Sequence, residues 1–212
     1  MPADWLARPP EVANGRRIRE SVAVSLRSKT LLATCVAACV LAAAAVAAAT
    51  PGARYVLTSR DVGPAYARND TVSGGRSLAD VSVGDSARIR RELRQSWLGG
   101  TVAAFNAVSG ARGVISIADV FRQGAPIAEI LRAWQADAAR VTHGAFEPLP
   151  GRAPGDHPAL VRGKILSYEV LVYMWSRGRT IASVEVTGKP GETDRGFLLS
   201  LARRQDAKLA AS

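Results

Sequence analysis

The sequence predicts an α+β fold: a mainly antiparallel sheet packed with helices and preceded by one N-terminal apolar segment. Three observations carry that expectation. Apolar residues between Ile127 and Val141 recur at helical spacing, and "YEVLVYMWSRGRTIASVEVTG" alternates on both sides of a turn signal. Helices and strand pairs then follow one another with hairpin connections, which favours antiparallel pairing over parallel crossovers.

Composition sets the frame for these elements. The chain has 212 residues, 48% of them hydrophobic, enough for one domain with its own core. Its net charge is +10, and Arg supplies 24 of the 28 basic residues. Such a surface suits anionic lipid head groups, envelope polymers or nucleic acid, or reflects Arg as the default surface residue in a chain whose Arg and Ala bias fits a GC-rich bacterial genome. Both cysteines, Cys35 and Cys39, lie in the apolar segment, so the remainder has no disulfide, thiolate metal site or cysteine nucleophile.

Residues 1–29 carry Pro9-Pro10, Asn14-Gly15 and few large apolar side chains, and read as a basic disordered cytoplasmic tail. Thr30 to Thr50 is uncharged for 21 residues, about 30 Å as a helix and long enough to span a bilayer core. Ten of the nineteen residues from Leu31 to Ala49 are Ala, so insertion is expected to be marginal but real. Arg16, Arg17, Arg19, Arg27 and Lys29 precede it and hold that end inside.

Three fates stay open for this segment. It is retained as an anchor, cleaved after Ala49, or acylated at Cys39 in the lipobox-like Val36-Ala37-Ala38-Cys39. The long amino-terminal region speaks against cleavage, and the apolar stretch after Cys39 speaks against lipidation. A start at Val22 or Val24 would shorten the leading region. The retained anchor is the favoured reading, and all three fates place the rest of the chain outside a bacterial cytoplasmic membrane.

Residues 51–84 read as linker and loop-rich lead-in, with a helical turn capped by Thr58 or Ser59 and one short strand at most. The α+β domain is expected over 85–212. Asp85 or Ser86 caps a helix whose Ile89, Leu93 and Trp97 share a face, with Gly99 ending it. "TVAAFNAV" and "GVISIADVFR" form a hairpin around Ser109 to Arg112. A helix follows with Pro126 in its first turn and Ile127, Ile130, Leu131, Trp134, Ala138 and Val141 inward.

A strand then starts in "PALVRGKI", followed by the strongest hairpin, turning at Arg177-Gly178. That turn sets Trp175 opposite Thr180 and Tyr173 opposite Ala182. Leu171, Tyr173 and Trp175 face one side and Val170, Val172 and Met174 the other, so this strand is central and covered twice. Thr193 caps a last helix that packs Phe197, Leu198, Leu201, Ala202 and Leu209.

Catalytic templates fail one by one. Gly163-Lys164 lacks the upstream glycine of a phosphate loop and lies in a strand. No GxGxxG opens a helix and no GxSxG is present. The chain has two histidines. His143 precedes Gly144 and suits a helix end. His157 adjoins Asp156, the best nucleus for a small hydrolase or metal-dependent site, but no third ligand is recognisable.

Asp119, Glu169 and Glu185 form a carboxylate pair only if packing gathers them; otherwise they are edge or solvent positions. Arg88, Arg90, Arg91 and Arg94 make the densest basic run, a possible contact for an anionic surface or simply a solvated helix face. Trp97, Trp134, Tyr173 and Trp175 line a groove or fill the core. Neither metal nor cofactor is expected, and an exported domain does not meet nucleic acid.

The stretches "LTSRDVG", "VISIADVF" before a helix, "PGD" and "VLVYMWSRGRTIASVEV" before a final helix resemble secreted and lipid-anchored actinobacterial domains. That group includes Lpq-type lipoproteins and extracellular sensor domains, and the resemblance implies a fold like that of PsbP and Mog1 proteins. It covers about three quarters of the chain and carries no catalytic residue with it. The expected function is therefore a membrane-tethered, non-catalytic extracytoplasmic domain that binds an envelope component or protein partner. The alternatives are a small envelope enzyme around Asp156 and His157, and an extracytoplasmic sensor module.

Overall fold

The computed structural model describes residues 50–81, 86–149 and 153–211. The tail, nearly all of the apolar segment, Cys39 and Ala49 lie outside them. Among the described residues no helix is long and apolar enough to cross a membrane.

The chain opens with the short helix α1 (Ser59–Val62) and the strands β1 (Tyr66–Arg68) and β2 (Gly74–Arg76). Next come α2 (Ala87–Ser96), β3 (Trp97–Ala107), β4 (Gly113–Phe121) and α3 (Ile127–Val141). The remainder is β5 (Ala145–Glu147), β6 (Asp156–Ile165), β7 (Tyr168–Arg177), β8 (Thr180–Gly188) and α4 (Arg195–Ala210). The strands form one eight-stranded sheet in the order β1-β3-β4-β8-β7-β6-β5, with β2 beside β1 on the same edge of β3. Every described pairing is antiparallel, as the hairpin connections predict.

One face of the sheet is closed. Leu198, Leu201, Ala202 and Leu209 of α4 bury themselves against Phe105, Leu171, Tyr173, Trp175 and Val184. Tyr55, Val56, Leu57 and Val62 complete that core, so part of the stretch expected as linker belongs to the fold. The other face carries α3, whose Ile130, Leu131 and Trp134 pack on Val161, Val172, Met174 and Ile181. Ile89 and Leu93 of α2 join the same cluster. β7 is buried on both faces along nearly its whole length, as its two-sided apolar sequence requires.

Local chemistry moves four boundaries from their expected places. Helix α2, capped by Ser86, ends at Ser96 and runs straight into β3; Gly99, at φ +142°, sits at a bulge in that strand instead of closing the helix. Asp194 caps α4, accepting from the N–H groups of Gly196 and Phe197 at 2.7 and 3.2 Å. Thr193, the expected cap, donates its hydroxyl to Glu169.

The β7–β8 hairpin turns at Gly178-Arg179, which puts Trp175 opposite Ala182 and Tyr173 opposite Val184. A two-residue slide keeps every side chain on its expected face. Finally, residues 64–81 hold two short strands, because the edge of β3 gives their backbone groups partners, and a 3-10 turn at Leu78–Asp80 closed by Ser77 and Asp80.

A groove on the open face

Helix α3 covers β6, β7 and part of β8, but not the β4 side of the same face. That leaves a groove of about 260 Å³. Its floor is Ile117, Val172, Met174, Ile181 and Ser183; Trp134, Ala138 and Val141 form one wall, and Arg76 to Val81 lie across from them. Past Ile165 it continues into a shallower trough of about 540 Å³ bordered by Gly113, Leu166, Tyr168, Val170 and Thr187.

One end is built around Asp119, which is fully buried rather than at an edge or in solvent. Arg76 of β2, Gly100 of β3 and Asp119 of β4 stand in register across three strands. Because Gly100 has no side chain, Arg76 reaches over the intervening strand to pair with the Asp119 carboxylate. A Cβ at position 100 would overlap Asp119 Oδ1. Trp97 Nε1 donates to the same carboxylate at 3.1 Å, and Arg76 also donates to the carbonyl of Asp80 at 3.1 Å. Burial pushes the Asp119 carboxyl up to about 6, against the pull of the Arg76 charge and the Trp97 N–H. This is a structural clamp at the groove's end.

Glu185 is different. It lies on β8 between Val172 of β7 and Ile115 of β4, with Ser183 and Thr187 two residues away on the same face. It is half-buried, and no hydrogen-bond or ion-pair partner is assigned to it among the described residues. Burial alone raises its carboxyl to about 7. An uncompensated carboxylate on an apolar floor opposes folding, so its place there calls for a use. Nearby, the indole Nε1 of Trp134 is buried without a hydrogen-bond partner among the described residues.

Of the carboxylates read as a possible pair, packing puts Asp119 and Glu185 in one groove but not side by side. Ile181 stands opposite Asp119, and Glu185 is four residues further along β8, roughly 14 Å of strand. Glu169 is held elsewhere by Arg162, Thr193 and the Gly191 N–H, which lower its pKa, the Thr193 hydroxyl most strongly. Tyr173 and Trp175 fill the closed core, whereas Trp97 and Trp134 border the groove.

Arg88, Arg90, Arg91 and Arg94 are all exposed on α2, with Arg88 donating to Glu129 at 2.6 Å. His157 is exposed at a bulge in β6 with φ +51°, and its carbonyl accepts from Gln135. Asp156 and Ser176 lie beside it in a shallow depression, and the Ser176 hydroxyl donates to the Asp156 carbonyl at 3.3 Å. Among the described residues no group of three His, Cys, Asp or Glu side chains is arranged to hold a metal. His143 adopts φ +47° just beyond α3, where the Gly144 N–H closes the helix end on the Ala139 carbonyl.

Sequence reasoning missed Arg76 and Gly100, because their role needs three strands aligned and nothing local marks it. Glu185 carried a readable signal: alternation put it on the same face as Val172, a face already expected to be covered.

No protein-family model matches the chain, and the curated proteins hold no significant match. Among solved structures it is similar to the extracellular domain of PknH from Mycobacterium tuberculosis. The two are 12% identical with a TM-score of 0.46, over 74% of this chain and 94% of that one.

Proposed function

We propose that this protein is a non-catalytic binding module, held at the outer face of a bacterial cytoplasmic membrane by its amino-terminal apolar segment, and that the open-face groove is its binding site. The observation that carries the reading is Glu185, a carboxylate without a partner among the described residues, on the floor of a mostly apolar groove. The address rests on the uncharged stretch from Thr30 to Thr50 and the five basic residues before it.

Met174 offers a direct test, since the chain's other methionine is Met1. The full chain, labelled with carbon-13 at its methionine methyls and held in lipid nanodiscs, is titrated with hexanol as a neutral probe. A saturable shift of the Met174 methyl, abolished by Ser183→Trp, is the expected result. A methyl that does not respond removes the groove from consideration. Reporter fusions behind Ser212 test the address separately: activity outside the membrane and silence in the cytosol are expected.

A further inference from the structure

We infer that the groove selects a primary ammonium carried on an aliphatic body, with Glu185 receiving the cation. This rests on the groove being the binding site and adds the chemical class of what it takes.

The chain as a whole is strongly basic, yet the groove has the opposite balance. Asp80, Asp119, Asp137 and Glu185 line it against the single cation Arg76. Three of these carboxylates are already engaged. Asp119 is committed to Arg76 and Trp97. Asp80 accepts from the N–H and hydroxyl of Ser77 at 2.6 and 2.8 Å, and Asp137 from Arg140. Glu185 is left to receive a donor from outside.

Shape narrows the donor. Ser183, Glu185 and Thr187 project from alternate positions of β8 onto one face, so two hydroxyl oxygens flank the carboxylate. Strand spacing sets each hydroxyl about 7 Å from Glu185, so one of them at most joins the carboxylate around a compact ammonium whose three N–H bonds point apart. The floor on either side is apolar, with Val172 and Met174 towards α3 and Ile117 towards β2. Groove and trough together run from Ile181 to Thr187 along β8, about 20 Å of strand. An anionic or purely hydrocarbon ligand would leave Glu185 repelled or uncompensated. A cation on an apolar stem satisfies both parts of the site.

The test compares three soluble probes at pH 8, read at the Met174 methyl in the full chain: hexylammonium, hexanol and hexanoate. Hexylammonium is expected to bind about tenfold tighter than hexanol, the value of one charge-assisted hydrogen bond, and hexanoate more weakly than either. Glu185→Gln should bring hexylammonium down to the level of hexanol. If hexylammonium binds no tighter than hexanol, or if Glu185→Gln retains the preference, the ammonium assignment is overturned while the groove stands. If none of the three moves the methyl saturably, the groove reading fails along with it.

Discussion

The two faces of the sheet treat their polar groups in opposite ways. On the closed face Gln205 is fully buried, yet its amide is used at both ends: Oε1 accepts from Ser116 at 2.8 Å and Nε2 donates to the Ile117 carbonyl at 2.8 Å. Ser116 in turn accepts from the Leu57 N–H at 2.9 Å. Trp175 and Arg177 both donate to Asp206. The open face clamps Asp119 at one end and leaves Glu185 without a partner among the described residues. The closed face uses its buried polar groups internally, while the open face keeps a carboxylate that has no partner among the described residues.

Gln205→Ala breaks the closed face and has the largest expected effect. It opens a void and orphans the Ile117 carbonyl, so urea unfolding should show a loss of about 4 kcal/mol while the Met174 response to hexanol persists in the folded fraction. Arg76→Ala comes next. It strands the buried Asp119 carboxylate, at a cost of about 3 kcal/mol at pH 8.

That cost shrinks in acid. The Asp119 pKa, about 6 when folded, already lies above its ordinary value, and without Arg76 it rises further, so the residue becomes neutral as pH falls. Unfolding curves at pH 5 and pH 8 check the difference.

Glu185→Gln has the smallest effect and the opposite sign. The folded pKa of about 7 exceeds the ordinary 4.5, so the carboxylate penalises folding fully above pH 7 and not at all below about 4.5. Arg76, paired to Asp119, shares its groove, with Asp80 and Asp137 on the walls and Arg112 along the adjoining trough, and among the described residues no cation is paired with it. The gap between the two values is worth at most about 3 kcal/mol, and water at the half-buried carboxylate screens most of it, so the variant should be more stable than the parent by about 1 kcal/mol at pH 8 and equal to it at pH 4.5. A destabilised variant at pH 8 would mean that Glu185 has an internal partner and that the two faces do not differ in kind.

Much of the closed face was legible beforehand. Alternation in β7 and helical spacing in α4 report burial residue by residue, and a register slide of two leaves those faces intact. Thr193 and Asp194 were less distinguishable, since either residue type caps a helix and only the presence of Glu169 decides between them. The open face was legible in its apolar half, where Val172 and Met174 pack beneath α3. Its clamp was not, because Arg76 and Asp119, 43 positions apart, meet only when strand pairing sets both beside Gly100. Residues 64–84 looked like loop because β1 and β2 are stabilised by the edge of β3 and not by their own side chains.

The clasp between the two ends of the fold has a mechanical consequence. Lys208 grips Asp61 and the Val56 carbonyl, and Arg204 grips the Asp61 carbonyl, on the segment that leads in from the amino terminus. Tension arriving through Thr50 therefore meets β3 first, where the Pro51 carbonyl accepts from the Thr101 hydroxyl, and then the final helix at Val56 and Asp61. Trimming the chain at Ser59 would do more than shorten a leash: it would strip the seat from under that helix.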